Sequence, residues 1–187
     1  KPDGVAAVLY AETGSLLLKS AYQSGLTNGV KILLTDGVKS DDFATQVGKT
    51  KDGKFIIEGA IGTVPGADGK ALSALTKLWE SKEKTAPPAY VPQAWDAAAL
   101  LALAAESAKA NTGEAISGKI REVANGPGEE VTDVCKGLEL LKAGKKINYQ
   151  GASGNVDIDQ NGDVVGVYDV WEVASDGKTK VVGKVNP

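Results

Sequence analysis

Apolar and polar positions fall in blocks along this chain, and the first blocks set the reading of the rest. Val5-Ala6-Ala7-Val8-Leu9 is a continuous apolar run of strand length, the pattern of a strand buried on both faces. Tyr10-Ala11-Glu12-Thr13-Gly14 follows as its exit loop. From Ser15 to Ser24, Leu17, Leu18, Ala21 and Tyr22 recur at helical spacing, and Gly25 suits the stop. Val30-Lys31-Ile32-Leu33-Leu34 is a second apolar strand, which leaves through Thr35-Asp36-Gly37. Strand, helix and strand in this order predict parallel neighbours joined by a crossover helix. Tyr10 and Asp36 then both stand just beyond the carboxyl ends of their strands, at the crevice where open α/β sheets bind ligands. An aromatic ring beside a carboxylate can hold a small cation with an apolar or amphipathic body.

Further along, Ser40 or Asp41 can cap a short helix, Asp42 to Val47, and Lys49 to Lys54 is a charged loop. Phe55 to Val64 is a third strand region, broken by Gly59 and Gly62, so that Val5 to Val64 reads as βαβαβ. Pro65-Gly66-Ala67-Asp68-Gly69 is a strong break, after which the pattern becomes helical. Leu72, Leu75, Leu78 and Trp79 form a stripe, and Thr85 to Ala89 is a stiff connector. Gln93 to Lys109 is a helix apolar nearly all round, which must be buried. Ala115 to Asn125 and Val134 to Ala143 are two more helices. No convincing strand lies between Val64 and Ile147. The Gln93 to Lys109 helix therefore belongs either to a small helical subdomain or to a layer covering a sheet encoded upstream. The tail is β: Asn155 to Asp159 and Val164 to Trp171 flank Gln160-Asn161-Gly162-Asp163 as one hairpin, and Val170 to Val173 and Lys180 to Val185 flank Ser175-Asp176-Gly177 as another.

Composition narrows the function classes. With 187 residues, 42% of them hydrophobic and 24% charged, the chain has the means to build one globular domain or parts of two. A net charge of −3 gives no electrostatic footprint for nucleic acid or an anionic membrane. No apolar run approaches the ~20 residues of a membrane span. The sequence has no His, which removes Ser-His-Asp triads, Cys-His pairs and His metal sites. Its single Cys, Cys135, excludes an intrachain disulfide and any CxxC motif. The chain begins at Lys1 and contains no Met, so it is expected to be a trimmed piece of a longer product.

Several stretches together carry a resemblance. They are Tyr10, the Leu-rich helix ending at Ser24-Gly25-Leu26, and Leu34-Thr35-Asp36-Gly37-Val38. Further on come Leu140-Leu141-Lys142-Ala143-Gly144-Lys145-Lys146-Ile147-Asn148-Tyr149, Gly151-Ala152-Ser153-Gly154 and Asp157-Ile158-Asp159-Gln160-Asn161-Gly162-Asp163. The chain resembles the C-terminal half of a type I solute-binding protein of ABC importers, closest to the leucine/isoleucine/valine-binding class. The resemblance implies the α/β type I periplasmic-binding-protein fold, a parallel sheet with flanking helices, present here as an incomplete C-terminal portion. Residues 1–64 would be part of lobe two. Residues 65–169 would be a mostly helical contribution to lobe one that ends in a β-hairpin, and 170–187 a return to lobe two. The missing N-terminal half would supply the remaining sheet and the ligand's carboxylate contacts. It also implies an amino-acid ligand in the interlobe cleft, a membrane permease as partner, a place in the periplasm or on the extracellular face, and a signal peptide on the missing part. It implies no cofactor, catalytic residue or metal.

Under the resemblance Asp36 binds the ligand ammonium, where the family usually has the longer Glu, and Tyr10 covers the ligand body. Glu12 and Thr13 lie in the same loop. From the residues alone, Asp36 is equally a solvated turn residue and Tyr10 strand-end packing. Trp95-Asp96 opens the Ala/Leu helix, where Asp suits the helix dipole; the family has a similar aromatic-Asp pair facing the interlobe region or its support. Cys135 reads as a small apolar residue or as the partner of a cysteine in the absent half. Asp157 to Gly162 matches the start of a calcium loop, but the closing ligand falls on Tyr168, so a hairpin turn is expected. Two other classes compete with the transport reading. One is a ligand-sensing domain of a receptor or regulator with the same fold. The other is an α/β enzyme, disfavoured by the missing His, P-loop and GxGxxG.

Overall fold

The computed structural model describes residues 2–186. The chain divides into two compact units, one taking the residues up to Pro65 together with Tyr168–Val185, the other Gly66–Val167. The first unit is a five-stranded sheet in the order β1-β2-β3-β6-β7. Its strands are β1 (Gly4–Ala7), β2 (Lys31–Leu34), β3 (Ile61–Pro65), β6 (Tyr168–Val173) and β7 (Thr179–Val185). β1, β2 and β3 are parallel, while β6 and β7 return antiparallel. Helices α1 (Ala11–Gln23) and α2 (Phe43–Val47), with a 3-10 helix at Asp36–Val38, supply Leu18, Val38, Phe43, Ala44 and Val47 to one core with Leu34, Val64, Trp171 and Val173. This is a mixed α/β unit, a sheet with parallel strands and flanking helices.

β3 and β6 meet at a position that only glycine can fill. Gly62 pairs with Trp171, and a Cβ built on Gly62 would lie 2.5 Å from Trp171 Cε2. Gly62 therefore does not break the strand; it sits inside β3 and makes room for a fully buried indole. The residues before it, from Phe55, form turns rather than strand, because Gly59 adopts φ +78 and donates its N–H to Val173 O.

Other expectations are corrected here. The strand Val5–Leu9 shortens to Gly4–Ala7 and is not buried on both faces: among the described residues it stands at the sheet edge, and Val5 is 43% exposed. On the face opposite the core, Leu33 and Ile61 are each 42% exposed. Helix α1 begins at Ala11 rather than Ser15, since Tyr10 takes an extended N-cap conformation and Ala11 and Glu12 favour a first turn. Leu17 on that helix points to solvent, and Leu18 fills the core. Neither Ser40 nor Asp41 caps α2; Asp42 holds the N-cap without a side-chain bond. The Asp41 carboxylate instead accepts the Thr179 N–H and hydroxyl, both at 3.1 Å, which lowers its pKa.

In the second unit, helices α3 (Leu72–Glu83), α4 (Val91–Ala108), α5 (Gly113–Asn125) and α6 (Val134–Lys142) pack with a two-stranded parallel sheet, β4 (Glu129–Val131) and β5 (Ile147–Tyr149). The expectation of no strand between Val64 and Ile147 is overturned by β4, whose three residues are too few to show alternation. Leu103, Ala104, Val123, Val131, Ile147 and Tyr149 close this unit's core. The hairpin expected over Asn155–Trp171 reduces to an isolated bridge, Ile158 to Val164. Asp159 Oδ1 accepts the Asn161 and Asp163 N–H groups at 2.8 and 2.9 Å and turns the chain locally, while Val164 and Val165 stay exposed. The second hairpin, β6-β7, forms around Gly177.

Asp96 is the buried polar centre of this unit. It lies beyond the first turn of α4, so the helix dipole does not explain it. At 3% exposure its carboxylate accepts the Tyr149 hydroxyl at 2.9 Å, the Ala152 N–H at 2.8 Å, and the Ser153 N–H and hydroxyl at 2.7 and 2.6 Å. Burial, the Asp96 charge and their hydrogen bond push the Tyr149 hydroxyl pKa well above its usual value. The loop thus held, Gly151-Ala152-Ser153, accepts N–H bonds from Asp68, Gly69 and Ala71 and so fixes the start of α3. Replacing Asp96 with Ala leaves these buried donors without an acceptor and is expected to cost ~3 kcal/mol or more. Urea denaturation measures it, and a loss below ~1 kcal/mol would show that water substitutes for the carboxylate.

Candidate ligand-binding site

The parallel register places Ala7 opposite Leu34, so β1 and β2 end side by side. Beyond Ala7 the chain runs through Val8 and Leu9 to Tyr10, and beyond Leu34 through Thr35 to Asp36. Both candidate residues therefore follow the carboxyl ends of adjacent strands. Tyr10 is the N-cap of α1, with no side-chain capping bond, and its carbonyl accepts the Gly14 N–H at 2.8 Å. The residue is 76% exposed. Asp36 opens the 3-10 helix, which is anchored by the buried Val38 and closed by the Lys39 N–H donating to Asp36 O at 3.0 Å.

The two loops touch. A Cβ built on Gly37 would lie 2.5 Å from Leu9 O and 3.4 Å from Tyr10 Cδ1, so the residue after Asp36 lies against the backbone and ring of the residues leaving β1. The geometry brings together an exposed aromatic ring and an exposed carboxylate-bearing residue at one rim of the sheet. Such a pair can take a cationic amine with an apolar body. Glu12 and Thr13 are exposed on the first turn of α1, beside Tyr10 in sequence; the Glu12 carbonyl accepts the Ser15 hydroxyl at 2.9 Å. Sequence reasoning missed Leu9, Gly14 and Gly37 as the seat of this rim. The glycine immediately after Asp36 was the available signal.

The remaining candidates belong to the second unit. Trp95, 39% exposed, lines a mostly apolar groove of about 610 Å3 in the second unit with Leu78, Ala98, Ala102 and Val134. Cys135 is a free, exposed thiol on the same groove. A second concavity, about 480 Å3, lies at the opposite end of the first unit's sheet, against Thr27, Lys31, Glu58 and Ile61. Neither includes Tyr10 or Asp36. Among the described residues no group of three or more His, Cys, Asp or Glu is arranged to hold a metal ion, and no helix is long and apolar enough to cross a membrane.

Residues 1–176 match the family model described as the receptor family ligand binding region. The chain belongs to that family, whose fold is that of type I periplasmic binding proteins. A leucine-binding protein from Thermotoga maritima is similar over all of this chain and 45% of its own, with a TM-score of 0.68 and 24% identity. The branched-chain amino acid transporter substrate-binding protein from Streptococcus pneumoniae, solved with isoleucine, is similar over 99% of this chain and 45% of its own, with a TM-score of 0.62 and 16% identity. A chemotactic signal transduction substrate-binding protein from Halobacterium salinarum is 41% identical over 71 residues, 37% of this chain and 17% of that protein. The chain thus spans less than half the length of each of these relatives.

The exposure of the Tyr10 ring separates a structural from a functional role. Tyr10→Ala is expected to change stability by no more than ~0.5 kcal/mol, as for other surface positions. A loss above ~2 kcal/mol in thermal or urea unfolding would make the ring a support of the fold.

Proposed function

We propose that this chain is the C-terminal portion of the substrate-binding component of an ABC importer, which holds an amino acid, branched-chain or related, and delivers it to a membrane permease. The observation that carries this reading is the juxtaposition of Tyr10 and Asp36 beyond the carboxyl ends of adjacent parallel strands. Asp36 takes the ligand's α-ammonium, and Tyr10 covers its body, with Glu12 and Thr13 at the margin. A desolvated ammonium needs a counter-charge, which a carboxylate supplies and a backbone carbonyl does not. Membership of a ligand-binding family and likeness in fold to leucine- and isoleucine-binding proteins support the assignment. The protein works by binding without turnover, at the periplasmic or extracellular face of the cell envelope.

A second reading is favoured by the Halobacterium relative, whose name places it in chemotactic signalling. On that reading the same rim binds an amino acid and reports it to a receptor instead of a permease. Genomic neighbours separate the two: permease and ATPase subunits accompany the importer, a transducer accompanies the sensor.

The first unit is assigned to lobe two and the helical unit to lobe one. An N-terminal half of the same protein supplies the rest of both. The support is physical: Leu33 and Ile61 on one sheet face, and Leu78 and Trp95 on the apolar groove, are exposed here, and such surface is normally covered.

Two measurements test these assignments. In the complete gene product, Asp36→Ala is expected to weaken amino-acid binding by ~10²-fold through loss of the charge partner; unchanged affinity in calorimetry would place the ammonium elsewhere. Residues 1–187 expressed alone are expected to associate through the uncovered apolar faces. A monomer that unfolds cooperatively and binds ligand, seen by sedimentation and thermal unfolding, would overturn the need for an N-terminal half.

A further inference from the structure

Three residues at the rim are packed more tightly than a surface turn requires. Leu9, between β1 and Tyr10, is held from two sides by glycines. A Cβ on Gly14 would lie 2.9 Å from Leu9 Cβ, and a Cβ on Gly37 would lie 2.5 Å from Leu9 O. Neither glycine is among those with positive φ. Their presence is therefore a matter of space, not of backbone conformation. Gly14 is inside α1, where alanine is the better helix former, so a contact must explain it. At Gly37 the obstructing atom is a backbone oxygen, which cannot swing aside as a side-chain tip can.

The ring of Tyr10 is not held by a hydrogen-bonded cap and is largely exposed. Its position is set through its backbone, by the Gly14 N–H bond to its carbonyl and by the seat of Leu9 against Gly37. Gly37 is also the residue that follows Asp36. Any side chain at 37 must push the β1 exit away from the 3-10 helix, which carries Tyr10 away from Asp36.

We propose that Gly37 is a positioning residue for ligand binding: its bare Cα lets the Leu9-Tyr10 backbone close onto the 3-10 helix and so sets the spacing between the Tyr10 ring and the Asp36 carboxylate. This rests on the reading that those two residues hold the ligand. Gly37 touches no ligand itself; it acts through Tyr10. Gly14 serves the same seat from the side of α1.

A double-mutant cycle tests this in the complete gene product. Calorimetry with L-leucine, L-isoleucine and L-valine is run on the unaltered protein, Gly37→Ala, Tyr10→Ala and the double variant, with thermal unfolding in parallel. Gly37→Ala is expected to weaken the tightest of the three ligands about tenfold, and the double variant to bind within about twofold of Tyr10→Ala alone. A purely structural role would lower the unfolding temperature and weaken binding equally on both backgrounds. Unchanged affinity in Gly37→Ala, or the same tenfold loss with Tyr10 already removed, overturns the inference while the functional reading stands. Unchanged affinity in Tyr10→Ala, or no binding by the unaltered protein of any of the three or of the other standard amino acids, overturns the functional reading and this inference with it. If Gly37→Ala does not fold, Gly14→Ala, which gains helix propensity, takes its place in the same cycle with the same outcomes.

Discussion

The first unit depends on Trp171 lying against Gly62. The indole is fully buried, and the space it occupies exists only because the opposite residue has no side chain. Through this contact β6 joins β3, and the parallel strands from the start of the chain gain the antiparallel pair from its end. Val173 and Trp171 then share a core with Leu18, Val38 and Phe43, which come from the elements around the rim. The same anchoring that buries Val38 holds the short 3-10 helix on which Asp36 stands. Remote packing and the candidate site are in this way one structure.

The second unit uses polar chemistry for a comparable task. Asp96 gathers four donors from Tyr149, Ala152 and Ser153. A buried carboxylate is tolerated because its lone pairs are answered by nearby N–H and O–H groups, two of them backbone N–H groups of a loop that has no ladder to satisfy them otherwise. This explains why a charged side chain stands within a helix otherwise rich in Ala and Leu.

What the sequence made legible follows from what it encodes locally. The runs Val5–Leu9 and Val30–Leu34, with leucines between them at helical spacing, sufficed for parallel strands and for placing Tyr10 and Asp36 at their ends. Edges were less legible. That β1 stands at the edge among the described residues is a fact about pairing, and no pattern within Val5–Leu9 reports it. β4 escaped notice because Glu129-Glu130-Val131 becomes a strand only through pairing with Ile147–Tyr149. The role of Asp96 was invisible for the same reason: its partners lie more than fifty residues away in the chain. Gly62 looked like a strand breaker because its meaning resides in Trp171. The seat formed by Gly14 and Gly37 around Leu9 likewise exists only after the strands have paired.

The order of the elements has a consequence for synthesis. Within these residues translation delivers β1, β2 and β3 before the whole of Gly66–Val167, and β6 and β7 only afterwards. While the ribosome makes the helical unit, β3 is a sheet margin without its neighbour, and the cavity over Gly62 has no indole to fill it. Pairings so distant in sequence form late and slowly. A nascent chain stalled or cleaved before Tyr168 would present the open side of β3 to other chains, a hazard that chaperones meet in many sheet proteins. The pair that follows the helical unit is thus the one that covers the margin left open before it.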